Sequence, residues 1–518
     1  MAKPIIDNEL FEAALRDDLP RGLDPVRDVS GRERGVRSRW LAAGEMSGGE
    51  WQAKNGVLLG YGDGRVIGWN DNRHMLTIAG SRAGKGVSLI IPNLLFYGGS
   101  ALVVDPKAEN AARTARRRGK GIGPGKPGLN QDVYVLDPFG ESGLDELASF
   151  NPLQALDPRS ELVVEDVGVF ADALITHPER GERHWTESAQ ALIRALILVV
   201  IGDPRFEGRR NLITVRRLLL LTDETIDKAR IVPGSDEVLS AHKALLRILA
   251  GQENLPFSYI CNGVGEQIAA MGDNERGSVL SSARTQTQWL DSPKMARVLE
   301  RSDFDLADLK RKKTTLYLCL PATRMATHAR WLRLMILLAL NMMERVKVKL
   351  EQPVLFVLDE FPVLGYVEAI EKAAGLMAGF GVKLWPIVQN VGQLKQHYEH
   401  SWETFFANAG IVTSFGIGDS ETLKVLSDYL GQTHIDEQTS SGASWDGVNK
   451  GASMFREDRK PAPLLADHEL RLAFGRRKRR LLVFNVEEYP AVLQRFIYHD
   501  DEIFEGLFDP DPAHGGSA

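Results

Sequence analysis

Residues 79–86 read AGSRAGKG and join two apolar runs, HMLTIA and VSLIIPNLLF. The segment is close to the phosphate-loop pattern G-x-x-x-x-G-K-[ST], although Ala79 replaces the first glycine and Gly86 the final hydroxyl residue. Gly80 and Gly84 let the backbone curl so that N–H groups converge on an anion, and Lys85 adds a cation beside the terminal phosphates. The alternative is a plain glycine-rich turn with an exposed lysine. The pattern favours a nucleotide-binding loop of eight consecutive residues: Gly80, Ser81, Arg82, Ala83, Gly84, Lys85, Gly86 and Val87.

A pair of carboxylates, Asp359 and Glu360, directly follows another apolar run, VLFVL. At the carboxyl end of a buried strand, Asp359 would hold magnesium and Glu360 would orient and deprotonate an attacking water. Because Gly86 lacks the hydroxyl that usually binds magnesium, we expect Ser88 or a water to replace it. The alternative is a strand end that carries two solvated acids.

Gln389 follows a further apolar run, KLWPIV, in the same type of position. A polar side chain there can lie between the acidic pair and the terminal phosphate of a nucleotide, and so sense whether that phosphate is present. The alternative is a capping glutamine in a turn. The sequence thus predicts four catalytic residues, Lys85, Asp359, Glu360 and Gln389, and two metal ligands, Asp359 and Ser88.

The elements that must position these residues are short apolar runs bounded by turn residues. Such runs are typical of a parallel sheet that is covered on both faces. The sequence therefore predicts an α/β fold whose strands deliver the candidate residues to one carboxyl edge. The predicted strands are His74–Ala79, Ala101–Val104, Val133–Leu136, Thr315–Leu320, Val354–Leu358, Lys383–Val388, Ile411–Phe415 and Leu481–Asn485.

Between the two groups of strands the apolar residues take helical spacing. The predicted helices there are Leu162–Ile175, Trp185–Ile201, Val215–Leu221, Glu237–Ala250 and Ser278–Leu290. We therefore predict a discontinuous nucleotide-binding domain over residues 51–158 and 309–500, interrupted by an all-α domain over 159–308. We also expect an N-terminal arm over 1–50, a mobile polar loop over 436–460 and a disordered tail over 501–518.

The composition excludes several classes of protein. The chain has 518 residues, 43% hydrophobic and 25% charged, which are values of a globular protein and not of a disordered or fibrous one. Its two cysteines exclude a disulfide framework and a cysteine-rich zinc module. A net charge of −6 excludes a globally basic nucleic-acid binder and leaves local basic patches for such a role. The absence of a G-x-S-x-G motif and of paired histidine spacing argues against a triad hydrolase and a metalloenzyme.

No apolar run approaches the ~20 residues that a membrane-spanning helix needs. The longest uninterrupted runs are Ala195–Ile201 and Leu334–Leu340. The polar N-terminus has no apolar core of a signal peptide. We therefore expect the protein to stay in the cytoplasm unless a partner holds it elsewhere.

With these motifs in place, the chain resembles the TraG/VirD-type coupling proteins of type IV secretion and conjugation. These proteins are RecA-like hexameric motor ATPases related to the FtsK and HerA translocases. Both the replacement of GK[ST] by GKG and the Pro92-Asn93-Leu94 segment that follows are common features of this family. The resemblance runs from about Leu76 to Leu493 and rests on the order and spacing of IAGSRAGKGVSLIIPNLL, ALVVDPKAEN, VLDPFG with SFNPL, LFVLDEFPVLG, IVQNVGQLKQHY and FGIGDSETLKVLSDYLG.

The resemblance implies a RecA-like P-loop NTPase domain, ATP and Mg²⁺ as cofactors, and self-association into a hexamer with nucleotide between subunits. By the same likeness Lys85 and its loop bind ATP, Asp359 and Glu360 form the second acidic motif, and Gln389 is the sensor. The all-α domain would contact cargo or accessory proteins.

A further family motif is matched by Asp105, Lys107 and Glu109, for which we expect ring contacts near the nucleotide. An arginine from the neighbouring subunit would stabilise the charge that develops on the transferred phosphate. Arg324 and Arg459 are the candidates for this arginine finger, and either is alternatively a surface charge.

The implied function is that of a coupling ATPase that recruits a relaxase–DNA substrate and pumps it toward the secretion channel. The implied partners are single-stranded DNA with its relaxase, type IV secretion ATPases and inner-membrane channel components. Members of the family usually begin with a membrane-spanning region, which the sequence does not show. We therefore expect a peripheral position at the inner face of the bacterial plasma membrane.

Three basic runs are candidates for a pore lining that contacts DNA phosphates: Arg113–Lys120, Lys310–Lys313 and Arg476–Arg480. The alternative is that these runs are solvated faces.

Two rival functions also fit the nucleotide motifs. One is a non-motor NTP-binding switch, which needs neither a ring nor DNA. The other is a soluble secretion adaptor or regulator that binds ATP for assembly and recruits protein cargo without translocating DNA.

Overall fold

The structure, a computed structural model, describes residues 38–176, 183–221, 245, 248–249, 257–440, 455–485 and 487–510. Its strands are β1 Val57–Gly62, β2 Arg65–Trp69, β3 His74–Ala79, β4 Ala101–Asp105, β5 Gly121–Gly123, β6 Lys126–Pro127, β7 Asp132–Leu136, β8 Thr314–Cys319, β9 Val354–Leu358, β10 Val382–Val388, β11 Ala409–Phe415, β12 Gln432–Ser440, β13 Phe455–Pro463, β14 Arg480–Phe484 and β15 Ala491–Gln494.

Its helices are α1 Ile91–Phe96, α2 Glu109–Arg118, α3 Val163–Leu174, α4 Arg183–Gly202, α5 Leu212–Leu219, α6 Ser258–Ala270, α7 Asp273–Gln286, α8 Pro293–Val298, α9 Asp308–Arg311, α10 Ala322–Arg345, α11 Glu368–Leu376, α12 Val391–His397, α13 Glu403–Ala407, α14 Ser420–Leu430 and α15 Asp467–Ala473. A π-helical turn over Gly86–Ile90 precedes α1, and short 3₁₀ turns join several of the other elements.

An eleven-stranded sheet in the order β2-β1-β15-β14-β11-β3-β10-β9-β4-β8-β7 organises the molecule. The seven strands from β11 to β7 run parallel to one another. The four strands at the other edge pair in antiparallel fashion. The predicted α/β fold with a mainly parallel sheet is therefore confirmed. All eight predicted strands are present, and the antiparallel edge strands β1, β2 and β15 extend the sheet further.

The parallel strands are buried on both faces, as their continuous apolar sequences require. In β9, Phe356 and Leu358 join one apolar cluster, whereas Leu355 and Val357 join the cluster on the opposite face. Successive side chains of a strand point to opposite faces, so one run of five apolar residues contributes to both layers of the core.

Between β7 and β8 the described residues form helices and 3₁₀ turns and no strand. The central helix of this region is α4, which packs against α3, α5, α6 and α7. Four of the five predicted helices correspond to α3, α4, α5 and α7, whereas α6 was not predicted. The predicted helix over Glu237–Ala250 lies almost wholly outside the described residues. The boundaries proposed for the domains stay predictions.

Helix α4 is the one described helix long and apolar enough, by length and composition, to cross a membrane. However, 67% of its 18-residue apolar window is buried inside the protein. Such burial is that of a core helix in a globular domain, so α4 is weak evidence for a membrane span.

Two predictions of irregular structure are wrong for the described residues. Within the predicted loop over 436–460, β12 and β13 form an antiparallel ribbon that pairs Gln432 with Pro463 and Ser440 with Phe455. Residues 441–454 lie outside the described part. The predicted tail is ordered over 501–510, because Phe504 is fully buried and the Asp509 backbone N–H donates to the Arg113 carbonyl.

The basic run Arg113–Lys120 is not a continuous solvated or pore-lining surface. Arg118 is 0% exposed and its guanidinium donates to the Leu94, Tyr97 and Gly99 carbonyls at the end of α1. It also donates to the Gln131 and Thr315 side chains. A cation at a helix C-terminus is favoured by the helix dipole and satisfies carbonyls that have no intrahelical partner. Arg118 therefore braces α1, the helix that follows the phosphate loop.

Replacing Arg118 with methionine should lower the free energy of unfolding by about 3 kcal/mol, because several buried carbonyls lose their donor. The measurement is urea denaturation followed by tryptophan fluorescence. Lys120→Met is the matched control, since Lys120 belongs to the same basic run but is exposed. Equal, small effects of the two substitutions would contradict the bracing role.

Candidate nucleotide-binding site

The phosphate-loop segment begins where β3 ends, and its path is fixed by close backbone contacts. A Cβ at Gly80 would lie 2.2 Å from the Gly416 carbonyl oxygen at the end of neighbouring β11, so only glycine fits. Arg82 and Gly84 have φ values of 57° and 90° in the left-handed region. This alternation of conformations curls the segment, as an anion-binding nest requires.

The helix that follows the loop is anchored from the side by Asn93. The Asn93 side chain accepts a hydrogen bond from the Leu58 N–H at 2.7 Å and donates to the Leu58 carbonyl at 2.9 Å. Asn93 is 1% exposed, so this reciprocal pair ties α1 firmly to strand β1. The antiparallel edge of the sheet thus helps to position the loop.

Lys85 lies between the two predicted carboxylates. Its Nζ is 2.9 Å from Asp359 Oδ1 and 2.6 Å from Glu360 Oε1. The three side chains are 18%, 13% and 26% exposed, so they form a partly buried charge cluster. Residues separated by 275 positions in the chain are therefore brought together, because β3 and β9 are two strands apart in one parallel sheet.

Gln389 completes this cluster. It follows β10, the strand between β3 and β9, and its Nε2 donates to Glu360 Oε2 at 3.1 Å. Its backbone N–H donates to Gln393 Oε1, which fixes the turn after the strand. The structure thus brings Lys85, Asp359, Glu360 and Gln389 to one sheet edge, and their catalytic roles stay predictions.

The protonation of the cluster follows from burial and charge. Burial alone would lower the pKa of Lys85, but the Asp359 and Glu360 carboxylates outweigh it and raise that pKa above its usual range. Burial raises the pKa of Asp359 despite the nearby Lys85 ammonium. Without Lys85, an ionised Asp359 would therefore be unfavourable at this position. The Lys85 ammonium offsets the cost of burying the charges of Asp359 and Glu360.

The residues present fit Mg²⁺ bound together with a phosphate. Among the described residues, no group of three or more histidine, cysteine or acidic side chains is arranged to hold a metal alone. Mg²⁺ usually takes one or two carboxylates and completes its shell with substrate phosphates and water. Asp359 and Glu360 supply such carboxylates at the sheet edge. A Cβ at Gly86 would meet no atom within 4 Å, so space alone does not exclude a hydroxyl residue there.

The other predicted metal ligand, Ser88, faces a cation. Ser88 is 2% exposed and its Oγ lies 3.5 Å from Arg495 Nη1. A guanidinium beside this oxygen disfavours a second cation, so the geometry supports Asp359 more strongly than Ser88, whose role stays a prediction. Sequence reasoning missed Arg495, which also donates to the Ala83 carbonyl of the loop. No motif marks this arginine.

Asp105 ends β4, next to β9, and is buried. Its carboxylate accepts hydrogen bonds from the Ala111 N–H and the Asn110 side chain at the start of α2. Burial raises its pKa to about 7, with a smaller contribution from the nearby Asp359 charge. Lys107 and Glu109 are exposed. The ring contacts expected for these residues stay a prediction. In the structure, Asp105 binds the first turn of α2 and so positions that helix.

The remaining basic candidates divide into buried and exposed residues. Lys310 is 5% exposed and donates to the Met343 and Val346 carbonyls at the end of α10, so it does not line a pore. Arg480 is also buried, whereas residues 476–479 are exposed. Arg324 is exposed at the start of α10, and Arg459 lies in β13. The role of either residue as an arginine finger stays a prediction.

Comparison with known proteins supplies the family. A family model described as Type IV secretory system Conjugative DNA transfer matches residues 29–510. The type IV secretion system-coupling protein VirD4 of Bartonella quintana is 30% identical over 408 residues, which cover 77% of this chain and 58% of that protein. The conjugal transfer protein TraG of Escherichia coli is 29% identical over 518 residues, which cover 94% of this chain and 75% of that protein. The match thus spans less than two thirds of the Bartonella protein.

The fold also has a solved counterpart. The plasmid coupling protein TrwB, in complex with ADP and Mg²⁺, matches with a TM-score of 0.60 and 14% identity. The match covers 89% of this chain and 94% of the TrwB chain. This likeness confirms the predicted RecA-like fold.

Replacing Lys85 with methionine should lower the free energy of unfolding by about 2–3 kcal/mol, because two partly buried carboxylates lose their counter-charge. The measurement is thermal or urea unfolding without nucleotide. Lys372→Met is the matched control, since Lys372 pairs with Glu368 at 2.7 Å on the surface and its loss should leave stability unchanged. A Lys85→Met protein as stable as the control would show that the cluster does not depend on this ammonium.

Proposed function

The chain belongs to the type IV secretory system conjugative DNA transfer family, and from this membership we propose that it is a coupling ATPase that binds ATP with Mg²⁺ and uses hydrolysis to move DNA toward the secretion channel. One observation carries the proposal: the Lys85 ammonium of the phosphate loop lies within 2.9 Å of both carboxylates of the acidic pair. The names of its relatives, a coupling protein and a conjugal transfer protein, support the same function.

In the proposed mechanism, the N–H groups of the loop cradle the phosphates and Lys85 neutralises the terminal ones. Asp359 would hold Mg²⁺, which would supply positive charge to stabilise the phosphates. Glu360 would orient the attacking water and accept its proton. Gln389, which donates to Glu360 Oε2 at 3.1 Å, would hold that carboxylate in place until the terminal phosphate competes for the amide.

The ion pairs of Lys85 have a consequence for how nucleotide binds. In this arrangement Lys85 is engaged by Asp359 and Glu360, so a triphosphate must draw the ammonium away from them. The carboxylates then need another positive charge, since unpaired anions are costly at a partly buried site. We infer that the nucleotide binds tightly only together with Mg²⁺.

DNA contact is proposed for exposed cations near the same sheet edge. Arg476, Arg477 and Lys478 are exposed and precede β14, whose partner β11 ends beside the phosphate loop. Contacts of this kind are to phosphates and weaken with salt. A hexameric ring, Arg324 or Arg459 as the arginine finger, a relaxase-bound substrate and a position at the inner membrane face complete the proposal.

The Glu360→Gln variant should retain nucleotide binding and lose ATP hydrolysis by about 10²-fold or more, because the amide cannot accept the proton of the attacking water. Binding is measured by titration with a fluorescent ATP analogue, and hydrolysis by phosphate release. Glu368→Gln is the control, since Glu368 is 63% exposed and pairs only with a surface lysine among the described contacts. Unchanged hydrolysis in Glu360→Gln would contradict the assignment.

The effect of DNA on the hydrolysis rate distinguishes the proposed motor from an NTP-binding switch. Single-stranded DNA should raise the hydrolysis rate of the wild-type protein, and this stimulation should fall as salt increases. An NTP-binding switch would hydrolyse at the same rate with or without DNA. A secretion adaptor would still deliver protein cargo in the Glu360→Gln variant, whereas the motor would not.

A further inference from the structure

Arg495 connects the phosphate loop with the C-terminal part of the chain. It follows β15, and its Nη1 donates to the Ala83 carbonyl at 2.7 Å. Its Nη2 donates to the carbonyls of Arg476 and Lys478 at 3.1 and 2.6 Å. One rigid guanidinium therefore joins the nucleotide loop to the basic turn that precedes β14, at a sequence separation of 412 residues from Ala83.

Burying the Arg495 guanidinium costs hydration free energy, which its contacts with the protein must offset. Arg495 is 6% exposed, and its polar partners among the described residues are carbonyl and hydroxyl oxygens rather than carboxylates. Its guanidinium carbon lies 4.6 Å from the centre of the Phe415 ring, a cation–π contact. Burial, with Arg479 nearby, lowers its pKa to about 10, so it stays charged at neutral pH. A buried cation balanced by dipoles orients those dipoles strongly.

The bond to Ala83 has a direct effect on the anion cradle. In a trans peptide the carbonyl and the next N–H point in opposite directions. Because Arg495 holds the Ala83 carbonyl, the Gly84 N–H is directed away from the guanidinium. Within the described part of the chain, no acceptor is bonded to this Gly84 N–H, which leaves it ready for an anion. Arg495 thus fixes one peptide of the loop in the orientation that phosphate binding needs.

The neighbouring segment reinforces this contact. The Tyr498 backbone N–H approaches the Val87 carbonyl at 3.4 Å, in the turn that follows Lys85. Tyr498 and Phe496 pack with Tyr61 and Leu95 in a separate small apolar cluster. The chain after β15 therefore packs against the phosphate loop and its helix, and Arg495 is its charged contact with the loop.

We propose that Arg495 is a positioning residue that holds the phosphate loop in its anion-binding conformation before nucleotide arrives, and that it sets nucleotide affinity rather than the rate of the chemical step. This inference rests on the proposed nucleotide function of the loop. It uses the guanidinium geometry, because one terminal nitrogen bonds the Ala83 carbonyl while the other bonds the 476 and 478 carbonyls.

The test compares Arg495→Met with the wild type. With a fluorescent ATP analogue and Mg²⁺, the dissociation constant should rise about tenfold or more. In steady-state hydrolysis KM should rise by a similar factor, while kcat should stay within about threefold. In the nucleotide-free protein, amide hydrogen exchange of residues 83–88 should become faster. Arg495→Lys keeps the charge but not the fork, and should give an intermediate rise of about threefold.

Arg216→Met is the matched control. Arg216 is 5% exposed, belongs to α5 and donates to Asp291 and to the Arg284 carbonyl, away from the loop. Its loss should destabilise the protein without changing nucleotide affinity or exchange at residues 83–88. If Arg495→Met fails to fold, Phe415→Leu removes the ring against the guanidinium, keeps an apolar side chain at this core position and should shift affinity and exchange in the same direction by a smaller factor.

Three results would overturn the inference: unchanged affinity in Arg495→Met, an equal loss of affinity in Arg216→Met, or full recovery in Arg495→Lys, which would assign the effect to charge alone. Failure of the underlying function is distinguishable from these. A wild-type protein that binds no nucleotide would contradict the proposed ATPase, whereas hydrogen exchange in the same samples would still report whether Arg495 orders the loop.

Discussion

The Lys85 ammonium sits between the carboxylates of Asp359 and Glu360, at the carboxyl edge of a parallel sheet. Each partner alone would be unfavourable there, because partly buried charges lose hydration, and here the opposite charge replaces it. The cluster is therefore a stable resting arrangement and also one that a metal–triphosphate complex can replace. Both properties depend on holding one carboxylate oxygen of each acid within 2.9 Å of an ammonium that comes from another strand end.

The parallel sheet meets this demand through its strand order. β3, β10 and β9 are consecutive, so the loop, Gln389 and the acidic pair emerge side by side. The turns after these strands take unusual backbone conformations: Arg82 has a φ of 57° and Glu360 a φ of 55°. Such conformations cost free energy in non-glycine residues and persist where the surroundings enforce them. Here the sheet on one side and the packed helices on the other enforce them at the two turns that carry the charges.

The sequence could predict the sheet and the four clustered residues because both leave local patterns. Buried parallel strands are continuous apolar runs, and the candidate residues directly follow them. Whether a single arginine or lysine is buried or exposed leaves no such pattern in the sequence. Arg118 and Lys310 belong to runs that look like solvated charge, yet each is buried against the carbonyls at a helix end. The polar segment 436–460 has the pattern of a loop because β12 and β13 lack apolar alternation, and among the described strands these two form a separate two-stranded sheet. The ordered tail depends on Phe504, whose apolar partners include Phe96, which is distant in sequence.

Several buried arginines in this chain donate hydrogen bonds to backbone carbonyls. The chemistry of the guanidinium explains why arginine occupies these positions. A carbonyl at a helix end or in a tight turn has a lone pair that no backbone donor reaches, and arginine supplies several donors in one plane. Arg118 satisfies three carbonyls at the end of α1, the helix that follows the phosphate loop. Arg495 satisfies the Ala83 carbonyl within the loop. The loop and its helix are thus each bound by a buried guanidinium, whereas Lys85 is the loop cation that meets the carboxylates. Because guanidiniums stay charged at any physiological pH, this support does not vary with the protonation of the site it holds.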